Sequence, residues 1–438
     1  MTKKKPSRPK KPNAKQPWVD AVEFALTECV RFVTMVNDAV REKKFSELPG
    51  GEFLYELRGA DGRKYTYGRD AQRRLEEAAE GALRRSRFAE TVSFERYMKA
   101  LKPAIADRFI TNGAEVDLGT VESVFSTALN EAARARSDSR HLVPCQLMFQ
   151  AEPDSFDIGP VTFHNRETFK PIFEELVRDN RAKEASTGRP TIANEVLGHF
   201  SHFGWIADVT IAGCDRQIGQ ERAAQAVGAA VDFLHILFGH YHSRKMKVGG
   251  PGIDAEIEAT MEVRGGETLL GYSTGMVSAG GIPEGWSAWL DEPEARLLVR
   301  AAGRAIEAIT DPSRKRPLAL RFIDAAAWHG QAVRETSAAA SIVKSVTALE
   351  RLVTVEKGTD TTRIVTERNA ALSYDTEGDE RFADRVTRME RIYDLRSRLA
   401  HGTLSPFDPE VKRVDAQRAT AAADAAARTG TSTATERG

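Results

Sequence analysis

Arg396, Ser397, His401 and Gly402 place a fixed cation, a hydroxyl, an imidazole and a helix-ending glycine inside the single stretch RSRLAHG. Those groups suffice for RNA cleavage without a metal or a cofactor. A histidine can take the proton of a 2′-hydroxyl, the hydroxyl then attacks the neighbouring phosphorus, and an arginine stabilises charge on the phosphate oxygens. The product is a 2′,3′-cyclic phosphate. On an ideal helix, residues five apart are turned by roughly 140° and displaced by roughly 7.5 Å, so Arg396 and His401 cannot share one narrow face. Two arrangements reconcile them. The imidazole can swing back where the helix ends, or two copies of the pair can face each other across a two-fold axis.

The element that must position these groups is the helix running into them. Phe382, Val386, Met389, Tyr393, Arg396 and Ala400 recur at the alternating three- and four-residue steps of an amphipathic helix. This places Arg396 in the apolar seam. A guanidinium stays charged and is costly to bury alone, so Arg396 requires a carboxylate, a bound phosphate or a water-filled groove beside it. Gly402 and Pro406 read as the helix stop. The spacing alone is weak evidence in a chain with 44 arginines, and Arg136 with His141 repeats it in a charged stretch that lacks a seam and a stop. Arg381, Arg385 and Arg388 lie to one side of the seam as candidates to follow an RNA backbone; the alternative is a solvated face balanced by Asp384, Glu390 and Asp394.

From about Leu318 to Ser405 the chain resembles the HEPN domains, in particular the Apea-like branch. Tyr393, Arg396, Ser397, His401 and Gly402 stand where that branch has its closing signature, and Ala348, Leu349, Glu350 and Leu352 match its earlier landmark. The resemblance implies a helical bundle, a homodimer formed through it and, in active members, metal-independent endoribonuclease activity of a toxin–antitoxin or antiviral defence type. It also implies catalytic roles for Arg396 and His401, with Glu350 and Tyr393 in support. Many active members carry Asn, Asp or His directly after the arginine, and Ser397 departs from that pattern. Two other readings stay open. The bundle can be a non-catalytic dimerisation or RNA-binding module with recognition in the N-terminal region, or Arg396 can pair with Glu350 while His401 only caps the helix.

The whole chain is expected to be α+β, with a mixed α/β N-terminal region followed by a C-terminal all-α up-and-down helical bundle. Its 438 residues exceed one comfortable core. Residues 1–16 carry seven Lys or Arg and no acid and read as a disordered basic arm; 17–290 form the mixed region, with a candidate division near 138; 291–410 form the bundle; 411–438, rich in Ala, Thr and Arg, read as a disordered tail. Lys+Arg and Asp+Glu both total 63, so no global charge marks a nucleic-acid or membrane binder. Three scattered cysteines and the lack of a signal-type or membrane-length apolar run suit a cytoplasmic protein.

Within that frame, a helix is expected from Trp18, a hairpin across 53–68 turning at Asp61-Gly62, and helices across 69–137 broken near Pro103 and Asn112-Gly113. LVPCQLMFQ and FDIGPVTFH read as one strand each. Helices are expected at 293–310, 317–335, 337–356, 361–374 and 379–401. His199, His202, His235, His240 and His242 cluster in sequence and would be the only source of a zinc site; their aromatic neighbours favour a packed core edge instead. The N-terminal region is left to recognise an unidentified protein or ligand.

Overall fold

The computed structural model describes residues 17–43, 55–187, 192–249, 256–264, 267–275, 282–354, 361–374 and 381–436, so the expected basic arm lies outside the described residues. The chain forms two compact units. The first ends at Asp138 and includes Gly213–Gly219; the second comprises Ser139–Ala212 and everything from Gln220 onward. The α+β class holds. Among the described residues no helix is long and apolar enough to cross a membrane.

In the first unit, α1 (Pro17–Glu42) is followed by a hairpin, β1 (Tyr55–Arg58) and β2 (Lys64–Tyr67), then α2 (Arg69–Arg85), α3 (Phe94–Ile105) and α4 (Leu118–Ala133). The strands pair antiparallel from Tyr55 with Tyr67 to Arg58 with Lys64, and Asp61 and Gly62 occupy the turn. Two of the helices start on side-chain caps. Ser93 accepts from the Arg96 N–H and Asp117 from the Thr120 N–H. Pro103 does not end α3 as expected; the helix continues past it and widens into a π-helical turn over Ala106–Thr111, which stops at Asn112. Leu57, Tyr67, Leu75, Tyr97, Leu101, Ile105 and Phe125 build the core between these elements.

The second unit opens on a five-stranded sheet of order β4-β5-β6-β3-β7, with β3 (Ser137–Gln146), β4 (Ser155–Ile158), β5 (Val161–Asn165), β6 (Trp205–Cys214) and β7 (Lys247–Val248). FDIGPVTFH is a hairpin rather than one strand. Gly159 adopts a left-handed φ of 61° between Ile158 and Val161, which reverses the chain. α5 (Arg166–Thr187) and α6 (Ile192–Phe200) cover part of the sheet through Phe169, Phe173, Phe203 and Ile206. α7 (Arg216–Ser243) kinks at Gly239, and β8 (Glu256–Arg264) pairs antiparallel with β9 (Glu267–Gly275).

Six helices complete this unit: α8 (Pro293–Thr310), α9 (Pro317–Val333), α10 (Ala338–Val353), α11 (Thr361–Leu372), α12 (Phe382–Ala400) and α13 (Arg413–Glu436). α10 is central, packing against α9, α11, α12 and α13. The sheet and α8 meet closely: Gly159 lies against Gly303, and the Trp286 indole donates to the Glu152 carbonyl at 3.0 Å. The supposed disordered tail after 411 is α13. Its Ala416, Ala419, Ala423 and Ala426 recur at steps of three and four and are buried against α10, a seam too weakly hydrophobic to read as amphipathic but built from the best helix former.

Candidate functional site

α12 carries most of the predicted site. Its deepest residues are Met389, Ile392 and Leu395, so the buried stripe is rotated from the expected one; Phe382 is 41% exposed and Ala400 is exposed. Arg396 therefore sits beside the seam rather than in it, with its side chain 23% exposed. The shift follows from Ile392, Leu395 and Leu399, which offer a more apolar continuation from Met389 than Tyr393, Arg396 and Ala400 do.

Glu350, near the end of α10, joins the predicted residues together. One carboxylate oxygen accepts from the Tyr393 hydroxyl at 3.0 Å and the other from Arg396 Nη2 at 2.6 Å. The guanidinium carbon lies 5.9 Å from the centre of the Tyr393 ring. Burial pushes the Tyr393 hydroxyl above its ordinary range, reinforced by the adjacent Glu350 charge. The short contact to Nη2 is a charge-assisted hydrogen bond, which fixes the arginine's fork. Yet Arg396 Nε is buried and has no acceptor among the described residues. A donor left in that state calls for an acceptor that the chain does not supply.

Breaking this cluster should be measurable. Glu350→Ala leaves Arg396 with a second orphaned donor and an unpaired charge; because both side chains keep partial exposure, we expect a loss on the order of 2–3 kcal/mol in urea unfolding, below the figure for full burial. Glu350→Gln, which keeps an acceptor, should lose less. A change within 0.5 kcal/mol for the alanine variant would show that the pair does not stabilise the bundle.

His401 is the C-cap residue of α12, exposed, and its ring makes no polar contact among the described residues. The helix ends as a Schellman motif. Gly402, at a left-handed φ of 70°, donates to the Leu399 carbonyl at 3.2 Å, and Thr403 donates to that of Arg398 at 2.9 Å. Arg398 also grips Glu410 through two bonds of 2.7 and 2.9 Å, which ties the following loop to the helix. Ser397 is half-buried, and its carbonyl accepts from the His401 N–H at 3.0 Å. Of the candidate RNA track, Arg381 is committed to Asp384 by bonds of 2.8 and 3.1 Å, Arg385 lies over the Tyr374 ring, and Arg388 is half-buried.

A second polar cluster escaped sequence reasoning because its members come from three helices. His235 on α7 is fully buried; its Nδ1 lies 2.9 Å from Ser243 Oγ and its Nε2 2.7 Å from Arg334 Nη1. Ser243 donates onward to the Gly239 carbonyl at 2.7 Å, so the hydrogen bonds are self-consistent for a neutral ring protonated on Nδ1. Arg334 also bonds Asp232 at 3.0 Å. Nearby, His329 Nε2 approaches Asp424 of α13 to 2.7 Å but off the line of a hydrogen bond. The only legible signal was His235 itself, which lies in an apolar stretch.

Burial pushes the Asp232 carboxyl up to about 6 against the pull of Arg334, while burial and the Arg334 charge hold the His235 imidazole well below its ordinary range. Their effects on stability oppose each other. As pH falls below about 6.5 the unfolded chain protonates His235 and the folded one does not, which costs stability. Between about 6 and 3.8 the folded chain holds a proton on Asp232 that the unfolded chain has released, which adds stability. Asp232→Asn removes only the second effect and keeps an acceptor for Arg334. Its stability should therefore fall between pH 7 and pH 5 by about 1 kcal/mol more than that of the unsubstituted chain, as read from urea midpoints; parallel pH profiles would contradict the assignment.

Among the described residues no three His, Cys, Asp or Glu side chains are grouped to hold a metal ion. The three cysteines are buried and none is in a disulfide, and burial pushes the Cys29 and Cys145 thiols up to about 12. Fold and site together define an α+β chain whose C-terminal helical bundle presents a tyrosine–glutamate–arginine cluster and an exposed histidine at a capped helix end. Comparison with protein-family models, with curated proteins and with solved structures finds no match to this chain.

Proposed function

We propose that this chain is a metal-independent endoribonuclease of a defence or toxin type, built on a HEPN-like bundle that works as a homodimer. His401 is the general base that takes the 2′-hydroxyl proton; as the 2′-oxygen bonds to phosphorus the P–O5′ bond breaks, and the proton passes from the imidazole or from water to the released 5′-oxygen. Arg396 is the phosphate clamp, held in place by Glu350 and Tyr393. Ser397 stands between them as a small hydroxyl able to bond a phosphate oxygen. The observation that carries this reading is the Arg396 guanidinium, 23% exposed and held in place by Glu350 and Tyr393. Its exposed part is available to a phosphate oxygen. The exposed His401, which no polar contact restrains, leaves an imidazole available on the same helix.

The test is incubation of the purified protein with end-labelled RNA in excess chelator. Cleavage that leaves 2′,3′-cyclic phosphate ends is expected, with 2′-deoxy substrates untouched. A second reading rests on the 2.6 Å pairing of Arg396 with Glu350, which already occupies part of the fork. In it the bundle binds RNA or dimerises without cutting, and the N-terminal region carries recognition. RNA retained on the protein but never cleaved would select this module over the nuclease.

A further inference from the structure

The first unit contains a cleft of about 760 Å³ between the start of α1 and one face of α2. Its lining includes Trp18 and Asp20 from α1 and, from α2, Arg74, Ala78, Gly81 and Arg85 beside the ion-paired Arg73 and Glu77. Arg74, Ala78, Gly81 and Arg85 follow one another at steps of four, three and four, so they form a single stripe along that helix. Its size suits an organic ligand.

The two arginines of the stripe are held in an unusual way. The Arg74 guanidinium lies 4.0 Å from the centre of the Phe24 ring, and that of Arg85 lies 4.8 Å from the centre of the Trp18 ring. Neither has a carboxylate partner among the described residues, in contrast to Arg73, which holds Glu77 at 2.9 Å. The ring beneath each guanidinium holds it in place while leaving its N–H groups without a carboxylate among the described residues. Trp18 in turn stacks on Phe125, with ring centres 5.6 Å apart and planes 10° from parallel. Phe125, Trp18 and Arg85 therefore form a ladder of flat groups whose last member lines the cleft. Gly81 lies beside it: a Cβ there would stand 3.4 Å from Arg85 Nη2, an ordinary contact, while a longer side chain would reach into the cleft.

We infer that this cleft is a nucleotide-binding site, taking a phosphate-bearing nucleotide either free or as part of a single RNA strand. The Arg85 plane extends the ladder as a stacking surface for a base, and the two unpaired forks supply donors to phosphate oxygens. Asp20, half-buried and without a partner among the described residues, provides an acceptor for a ribose hydroxyl or a base amino group. Arg74 and Arg85 are separated by roughly 16 Å of helix, so an elongated ligand is favoured over a single inorganic anion. The site is independent of the bundle chemistry proposed above, since every residue in it belongs to the first unit.

The experiment titrates the full chain with ATP by calorimetry and with a fluorescein-labelled 2′-O-methyl oligoadenylate by anisotropy. The methylated strand cannot be cut by 2′-hydroxyl attack, so binding is read whether or not the chain is a nuclease. Binding of ATP alone identifies a free-nucleotide site, and preference for the oligonucleotide identifies an RNA track. Arg74→Gln and Arg85→Gln should each weaken binding about tenfold or more, the worth of one charge-assisted contact. Gly81→Leu should block the cleft while preserving helix α2, and Arg134→Gln, at the exposed arginine that caps the end of α4, should bind normally. Thermal melting confirms that each variant is folded. Failure of the unsubstituted chain to bind either probe below 1 mM would overturn the inference, as would equal binding by Gly81→Leu and both arginine variants.

Discussion

His401→Ala is expected to lower RNA cleavage in chelator by about 10²- to 10⁴-fold, the usual contribution of a positioned general base, while leaving the fold intact. The separation of the two effects follows from how α12 ends. The cap is made by the backbones of Gly402 and Thr403 and by the Arg398 grip on Glu410, and the imidazole takes no part in it. Removing the ring should therefore change stability by no more than about 0.5 kcal/mol. Arg396→Ala cannot separate the effects so cleanly, because it strips Glu350 of its cation and weakens the bundle as well. Arg396→Lys is the better partner experiment: it keeps the charge but loses the planar fork, so cleavage should fall with a smaller loss of stability. Equal cutting by His401→Ala and the unsubstituted chain would sink the nuclease proposal.

Gly159→Ala should be among the most damaging single substitutions in the second unit, with a loss of at least about 3 kcal/mol. Two independent penalties combine there. The left-handed φ of 61° costs an L-residue roughly 1–2 kcal/mol. The added Cβ would also stand 2.2 Å from the Gly303 Cα, a backbone atom of α8 that cannot rotate aside. Gly303→Ala offers an internal comparison. Its own helical conformation favours alanine by up to about 1 kcal/mol, yet its Cβ would meet the Gly159 Cα at 2.8 Å, so a net loss smaller than that of Gly159→Ala is expected. Urea midpoints measured for both would decide; an undiminished midpoint for Gly159→Ala would show that the β4-β5 hairpin does not press on α8.

Much of the architecture was legible because local chemistry and tertiary role agreed. The five helices from Pro293 to Ala400 announced themselves through apolar periodicity, through Pro293 and Pro317 at their starts, and through polar or glycine-containing breaks between them. The Asp61-Gly62 hairpin carried its own turn signal. The partnership of Arg396 with Glu350 was one of the alternatives legible in the sequence, because a charge near a core has few physical options. What failed were features that only packing decides. The stripe of α12 could be drawn through Tyr393 and Arg396 or through Ile392 and Leu395, and only the presence of α10 and α13 selects the second. α13 was missed because alanine contributes little to a hydrophobic pattern even where it is wholly buried. The cluster around Asp232 and the stacked arginines of α2 depend on residues far apart in sequence, which no local pattern reveals.

The alanine seam bears on the order in which the bundle assembles. Ser345 of α10 meets Thr420 of α13 across 75 residues of chain, hydroxyl to hydroxyl at 3.2 Å. Contacts of that separation pay loop-closure entropy before they are rewarded, so α13 docks after the nearest-neighbour helices have paired. Until it does, Ile342, Val346 and Leu349 have one side open to solvent. Once docked, the flat alanine face lets α13 lie close against α10, so the small side chains that hide the helix from a hydrophobic pattern are the ones that seat it.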